Sequence, residues 1–202
     1  MRYVVLLALG AVATLLEARP ALAQATGSPS FSAPVRPFQH GELGGFVSFP
    51  QSGTGWEGEY RAVSNGLLDV GIRGGSFALG PGRTAILAGF EGRASVFRHG
   101  SVSPVDAALI FGLGGRLRRD DSRFSVPLGF SIGRRIAPNH AVSLMPYVQP
   151  TWLLEGGHGL ATQSLLGLGL GTDLRLLSQL DLRFGIAFGE MRGVSLGVVW
   201  LH

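Results

Sequence analysis

The chain has 202 residues, of which 32 are glycine, 46% are hydrophobic and 15% are charged, and this charged fraction is below the roughly 25% of soluble domains. All 17 basic residues are arginine, and most of them occur singly along the predicted strands beside acids, which argues against the basic patch of a nucleic-acid-binding protein. The absence of cysteine excludes a disulfide framework and a thiolate zinc site.

Residues 1–23 have the pattern of a secretory signal peptide. A positive head at residues 1–3 precedes an apolar run at residues 4–16, and small residues stand before a cleavage point at Gln24. The run is shorter than the roughly 20 residues of a membrane-spanning helix, which disfavours the alternative of an uncleaved anchor. Residues 24–40 are rich in Ser, Pro, Gly and Gln without periodicity, and this predicts a flexible N-terminal arm outside the folded domain.

Residues 41–202 predict one all-β domain. From residue 165 to residue 201 large apolar residues recur at every second position, alternating with glycine, aspartate and arginine. A period of two indicates β-strands, and a helix is excluded because each interior glycine would cost about 1 kcal/mol. Ten strands are predicted, with eight as the alternative, at about residues 41–49, 55–63, 67–75, 83–97, 105–117, 123–135, 141–154, 164–176, 180–190 and 193–201.

The alternation predicts a closed antiparallel up-and-down transmembrane β-barrel, with its apolar face toward lipid. A soluble lipocalin-like barrel also alternates, but it points apolar side chains inward. Here the polar face is mostly glycine, and the apolar face carries too many large side chains for the interior of a small barrel. Aromatic residues near the strand ends suit the girdles of a membrane barrel, at Trp56, Phe124, Trp152, Phe188 and Trp200.

Residues 195–202, SLGVVWLH, resemble the C-terminal signal of outer-membrane proteins, with His202 where a terminal Phe or Trp is usual. Together with the signal peptide and the alternating strands, this segment makes the chain resemble small bacterial outer-membrane β-barrel proteins of eight to ten strands. The resemblance implies export to the outer membrane of a Gram-negative-type bacterium. It also implies contact with membrane lipids and a lipopolysaccharide-type outer leaflet, and recognition of the last strand by the barrel-assembly machinery.

The predicted inward face carries seven acids and eight arginines. This balance predicts ion pairs, because an unpaired charge in a narrow lumen costs several kcal/mol. A salt-bridged plug is favoured over a selectivity ring or a proton-linked gate. The predicted network consists of Glu57, Glu59, Arg61, Asp69, Arg73, Glu91, Arg93, Asp106, Arg116, Arg123, Arg135, Asp173, Arg175, Asp181 and Arg183.

The sequence favours a non-enzymatic barrel, with a structural role or a role as a narrow, porin-like pore for small solutes. The alternative is a lipid-facing enzyme of the deacylase or acyltransferase type. His158 lies in a predicted outer loop near Glu155 and Ser164, but no serine motif accompanies it, so a plain turn residue is favoured. Asp120 and Asp121 indicate a solvated hairpin tip rather than a metal site. No catalytic residue, metal site or cofactor is predicted.

Two prolines stand four residues apart in the predicted seventh strand, Pro146 and Pro150. Backbone N–H groups at these two positions would point toward the same neighbouring strand. Because proline has no N–H group, the seam, which is the row of hydrogen bonds between these two strands, loses two donors. We therefore expect this seam to be the weakest in the wall, with a possible role in lateral access or in contact with a second copy. The alternative is a local distortion without a role.

Overall fold

The computed structural model describes residues 25–34, 40–64, 66–100, 103–137, 142–189 and 192–202. The predicted signal peptide lies outside the described residues. Among them, no helix is long and apolar enough to cross a membrane. The strands are β1 Glu42–Pro50, β2 Thr54–Ser64, β3 Leu68–Gly80, β4 Arg83–Phe97, β5 Asp106–Leu117, β6 Arg123–Gly133, β7 Ser143–Gly157, β8 Leu160–Leu177, β9 Leu180–Gly189 and β10 Gly193–Leu201.

These strands form one closed barrel. Each strand pairs antiparallel with its neighbour in sequence, and β1 pairs with β10 to complete the ring. At the closure, the amide of Gly41 donates to the carbonyl of His202 (3.0 Å) and the amide of His202 donates back (3.1 Å). The predicted fold class and the count of ten strands are confirmed, and the eight-strand alternative is wrong.

The side chains alternate across the wall as the period of two requires. In β9, Asp181, Arg183 and Ala187 are buried in the lumen, whereas Phe184 and Phe188 are 40% and 45% exposed on the outer face. The same outward placement of large apolar side chains recurs on every strand. This is the reverse of a lipocalin-like barrel, whose core is apolar.

The barrel has two rims. The C-terminal rim carries the start of β1 and the end of β10, and the distal rim carries the turns at residues 51–53, 81–82, 118–122 and 158–159. These distal turns are short, with two to five residues each. The turn after β3 uses Pro81 followed by Gly82 at φ 69°, because proline presets the first corner of a tight turn and glycine adopts a positive φ without strain.

The hydrogen-bond ladder is interrupted beside prolines. The register between β6 and β7 skips Gln149 and Pro150, and Pro146 lies at the end of that ladder, where its carbonyl accepts from the amide of Arg134 at 3.3 Å. The register between β5 and β6 skips Val126 and Pro127. The pairing of β6 is therefore interrupted beside a proline on both of its edges, toward β5 and toward β7. The sequence predicted only the interruption at Pro146 and Pro150 in β7.

Residues 25–34, here called the luminal segment, lie inside the barrel. Ala25, Phe31 and Ala33 are fully buried, and the segment's serines and its threonine are at most 1% exposed. The prediction of a flexible arm outside the barrel is therefore wrong for these ten residues. Their small, polar composition resembles that of a linker, but it also fits a lumen lined with glycine and hydroxyl groups.

Candidate functional site: the barrel lumen

The central lumen holds a network of buried ion pairs that the strand register builds. Glu59 stands directly opposite Arg73 across β2 and β3, and Asp69 stands opposite Arg93 across β3 and β4. Directly opposite inward side chains lie about 5 Å apart at Cβ, which suits an arginine and a carboxylate. The Nη2 atom of Arg73 is 2.7 Å from Oε2 of Glu59, and Nε of Arg93 is 2.7 Å from Oδ2 of Asp69.

Arg61 joins the pairs of the network. Its guanidinium donates to Glu59 (2.9 Å), to Asp69 (2.5 Å) and to Glu91 (3.2 Å). Its side chain is 2% exposed, so these bonds form without competition from bulk water. Charge-assisted hydrogen bonds of this kind are about twice as strong as neutral ones. Arg61 therefore links three carboxylates of the central network, although Nε of Arg73 and Oε1 of Glu91 have no hydrogen-bond partner.

Strands β8 and β9 contribute two further ion pairs, which lie near the turn that joins the two strands at the C-terminal rim. Arg183 donates from Nε to Asp173 (3.0 Å), and Arg175 donates from Nε to Asp181 (3.0 Å). The side chain of Arg183 is 2% exposed, whereas that of Arg175 is 22% exposed. Both arginines, which the sequence predicts to be in the network, therefore meet carboxylates across this hairpin, but only the Arg183 pair is fully enclosed.

Two members of the network were missed from the sequence. Glu42, the first residue of β1, accepts from Arg93 and Arg183 at 3.3 Å each. Phe46 faces inward, and the guanidinium carbons of Arg73 and Arg183 lie 5.2 and 5.6 Å from its ring centroid. Glu42 could have been identified from the alternation, because it lies an even number of residues before the inward-facing Phe46 and Ser48 of β1.

Three predicted residues have a different environment. Arg135 follows the end of β6 and is exposed at the C-terminal rim, so its prediction as a lumen residue is wrong. Asp106 is buried, but it accepts from the amide of His99 (2.6 Å). Glu57 is buried, with Arg73 as an ion-pair neighbour at 3.9 Å, and neither carboxylate oxygen of Glu57 has a hydrogen-bond partner.

A second charge cluster lies at the distal rim. Arg116 and Arg123 are directly opposite each other on β5 and β6. Asp121, in the connecting turn, accepts from Nε of Arg123 at 3.2 Å and lies 3.6 Å from Nη2 of Arg116. Glu155, which was not in the predicted network, faces the lumen 3.7 Å from Arg123. Partial burial raises the pKa of Asp121, but the hydrogen bond from Arg123 and the nearby arginine charges bring that pKa below its ordinary value.

The luminal segment is held by hydrogen bonds from the barrel wall. Five of its backbone carbonyls accept from wall side chains, in the pairs Ala25 with Ser125 (2.9 Å), Pro29 with Ser195 (3.1 Å), Phe31 with Tyr147 (3.1 Å), Ser32 with Ser131 (2.9 Å) and Ala33 with Arg93 (3.0 Å). Two segment hydroxyls also bond the wall, Ser28 to Ser48 (3.4 Å) and Ser30 to Arg73. The segment runs from the distal half of the lumen toward the C-terminal rim.

The inward glycines provide the space for this segment. A Cβ atom at Gly169 would overlap the ring of Phe31, and one at Gly114 would overlap the carbonyl of Ala25. Phe31 also packs in a buried cluster with Met145 and Tyr147. The abundance of glycine on the inner face thus reflects the presence of a chain within the barrel as well as a narrow lumen.

The five predicted girdle residues all lie on the outer face. Trp56 is 60% exposed and Trp152 is 39% exposed, with the other three between these values. At the C-terminal rim, the imidazole of His202 stacks on Trp200 and Tyr60, with ring centroids 5.7 and 5.8 Å apart. His202 therefore places a ring among the rim aromatics, where the resemblance to outer-membrane proteins leads one to expect a terminal aromatic residue.

The residues of the enzymatic alternative do not converge. Glu155 is buried in the lumen, whereas Ser164 is exposed on the outer face and accepts from the indole of Trp152 at 2.6 Å. His158 is exposed in the turn between β7 and β8. Alternation places the acid and the serine on opposite sides of the wall. Within the described residues, no group of three or more histidine or carboxylate side chains is arranged to hold a metal ion.

Solved structures that are similar to the chain include two membrane proteins. One is a de novo designed transmembrane β-barrel, with 12% identity, a TM-score of 0.37, and coverage of 86% of this chain and 99% of that one. The other is a bacterial polysaccharide outer membrane secretin, with 12% identity, a TM-score of 0.46, and coverage of 79% and 69%. Likeness at this level concerns the fold alone. No protein-family model and no curated protein matches the chain.

Proposed function

We propose that the chain is an outer-membrane β-barrel whose lumen is closed by its own luminal segment, and that it conducts small solutes only when that segment leaves. The observation that carries this proposal is the complete burial of residues 25–34 in the lumen. In the closed state the protein acts as a structural element of the membrane. In the open state it acts as a narrow pore.

The outer face supports the membrane location. Large apolar side chains cover it, with Ile72 and Ile86 each 63% exposed. A soluble monomer rarely exposes contiguous apolar patches beyond a few hundred Å², whereas lipid covers such a surface without cost. The partners that follow are membrane lipids, a lipopolysaccharide-type outer leaflet, and the assembly machinery that recognises the last strand of outer-membrane barrels.

The central ion pairs and the luminal segment differ in how readily they can detach from the barrel wall. The central ion pairs link wall residues to one another, so separating them would leave buried charges unpaired. The luminal segment is held mainly by neutral donors, each of which contributes about 0.5–1.5 kcal/mol. Fixing one residue of a chain costs about 1–2 kcal/mol. The segment is therefore the part of the lumen contents that can exchange, and the network remains as a charged lining.

Conductance in planar bilayers tests this function. Purified full-length protein should show low conductance with rare openings, and a variant without residues 25–34 should conduct continuously. The Oγ atoms of Ser28 and Ser48 are 3.4 Å apart, and the chain has no cysteine. A Ser28→Cys/Ser48→Cys variant can therefore form one defined disulfide.

The oxidised double variant should be silent, and a reductant should restore the rare openings. Ser48→Cys alone is the matched control and should behave as the full-length protein under both conditions. If the oxidised variant opens as often as the reduced one, and if the deletion does not raise the conductance, the luminal segment is not the closing element.

A further inference from the structure

The two charge clusters of the lumen differ in whether every buried arginine donates a hydrogen bond to a carboxylate. In the central network each of them does, although Nε of Arg73 and Nη1 of Arg183 have no hydrogen-bond partner. In the central network, Arg61 makes four hydrogen bonds to carboxylates within 3.2 Å. In the distal cluster, Nε and Nη1 of Arg116 have no hydrogen-bond partner, although the residue is only 3% exposed. Its remaining nitrogen is 3.6 Å from Asp121, which is beyond hydrogen-bond distance. Arg116 is thus a buried cation without a hydrogen-bonded counterion.

The neighbourhood of Arg116 makes this arrangement costly. Arg123 stands directly opposite on the adjacent strand, and like charges at opposed positions destabilise a sheet. The ring of Phe77 lies 5.2 Å from the guanidinium carbon of Arg116 and supplies a cation–π contact but no hydrogen-bond acceptor. Glu155 lies 3.7 Å from Arg123, so its closest contact in this cluster is with the second arginine.

We propose that Arg116 and Arg123 form a binding site for a phosphate-type oxyanion at the distal mouth of the lumen. The oxyanion would accept hydrogen bonds from the two unused nitrogens of Arg116 and would lie between the opposed guanidinium groups. Planar guanidinium groups match the geometry of a phosphate. The side chains of Arg123 and Asp121 are 30% and 29% exposed, so an ion from the distal side reaches Arg123. The Nε and Nη1 atoms of Arg116 are buried, so Asp121, in its turn, must move aside before the ion bonds them.

The test uses full-length protein in detergent and inorganic phosphate as the probe. Isothermal titration calorimetry gives the dissociation constant, at constant ionic strength maintained with sodium chloride. The Arg116→Gln variant should bind phosphate at least about tenfold more weakly, because it loses charge-assisted hydrogen bonds. The matched control is Arg98→Gln, which removes the same charge from an exposed arginine that donates to the carbonyl of Gly66, remote from the distal rim. This variant should bind phosphate as the wild type does.

Heat-modifiable electrophoretic mobility reports whether each variant is folded. If Arg116→Gln does not fold, Arg116→Lys keeps the charge but removes the planar group, and it should still weaken phosphate binding severalfold. Short-chain phosphatidic acid below its micellar concentration distinguishes a lipid headgroup from free phosphate, and saturable binding of either at Arg116 supports the site. Equal phosphate affinity in wild type, Arg116→Gln and Arg116→Lys, or no binding of either probe to the wild type, overturns the proposal.

Discussion

Replacing Arg183 with alanine tests whether the central network is a dry, rigid element. The Arg183 side chain is 2% exposed and bonds Asp173 and Glu42. Its removal leaves two buried carboxylates without this guanidinium, and breaking a buried ion pair costs about 3–5 kcal/mol. Since Glu42 keeps its contact with Arg93, we expect a loss near 3 kcal/mol in the free energy of unfolding, a factor of more than 100 in the folding equilibrium.

Arg175 on the neighbouring strand provides the matched control. It pairs with Asp181 across the same hairpin at the same Nε–Oδ1 distance of 3.0 Å, but its side chain is 22% exposed. Although Asp181 is buried, water can occupy the space left by the partly exposed guanidinium of Arg175, so Arg175→Ala should cost less than Arg183→Ala, about 1 kcal/mol. The two variants delete the same side chain and differ chiefly in burial, so their difference isolates the effect of a water-free lumen.

Urea unfolding in detergent, followed by tryptophan fluorescence and by heat-modifiable mobility, measures both free energies. A further variant, Arg183→Ala/Asp173→Asn, removes one of the charges left behind and should recover part of the loss. Equal costs for Arg183→Ala and Arg175→Ala, or a cost below about 1 kcal/mol for both, would refute the reasoning and indicate a hydrated, loosely packed lumen.

Three further outcomes are expected. Glu57→Gln should leave the stability to urea unchanged or higher, because neither oxygen of Glu57 has a hydrogen-bond partner, whereas Glu59→Gln should lower it by about 1–3 kcal/mol; equal losses would contradict this. In hydrogen exchange, amides beside Pro150 in the β6–β7 seam should exchange faster than those between β8 and β9, and equal protection would leave the prolines only a local meaning. Because the pKa of Asp121 is lowered from 3.8, its ion pairs stabilise the distal turn above about pH 4 and are lost as the pH falls below that. The difference in melting temperature between wild type and Asp121→Asn should shrink there, and a constant difference would argue against these pairs.

The wall of the barrel was predictable from the sequence because it depends on the alternation of residues within each strand. Every second residue faces outward, so the period of two in β8, β9 and β10 determines both the strand and the face that each side chain occupies. The ion pairs across the β8–β9 hairpin followed from the same rule, since a tight turn fixes which residues stand opposite each other. Arg135 shows the limit of this reasoning, because the sequence does not mark where β6 stops at Gly133.

The contents of the lumen were less predictable because they depend on contacts between distant residues. The luminal segment has no periodicity, and its composition is that of a linker. Its hydrogen-bond partners in the wall stand 20 to 166 residues away in the chain, from Ser48 to Ser195. The inward glycines were interpreted as the lining of a narrow lumen, yet at Gly169 and Gly114 the missing side chain makes room for the segment.

On the proposed function, the division of the lumen into two kinds of contact would let one barrel be both stable and able to open. Arg61 and its partners connect β2, β3 and β4 through their own charges, so that part of the wall does not depend on the segment. The segment meets the wall mostly through hydroxyl donors such as Ser125 and Ser131, which water can replace when the segment leaves. Arg73 and Arg93 each contact both the network and the segment. Release of the segment would free one nitrogen on each of them without breaking an ion pair, and the opened lumen would then present those two arginines to an entering solute.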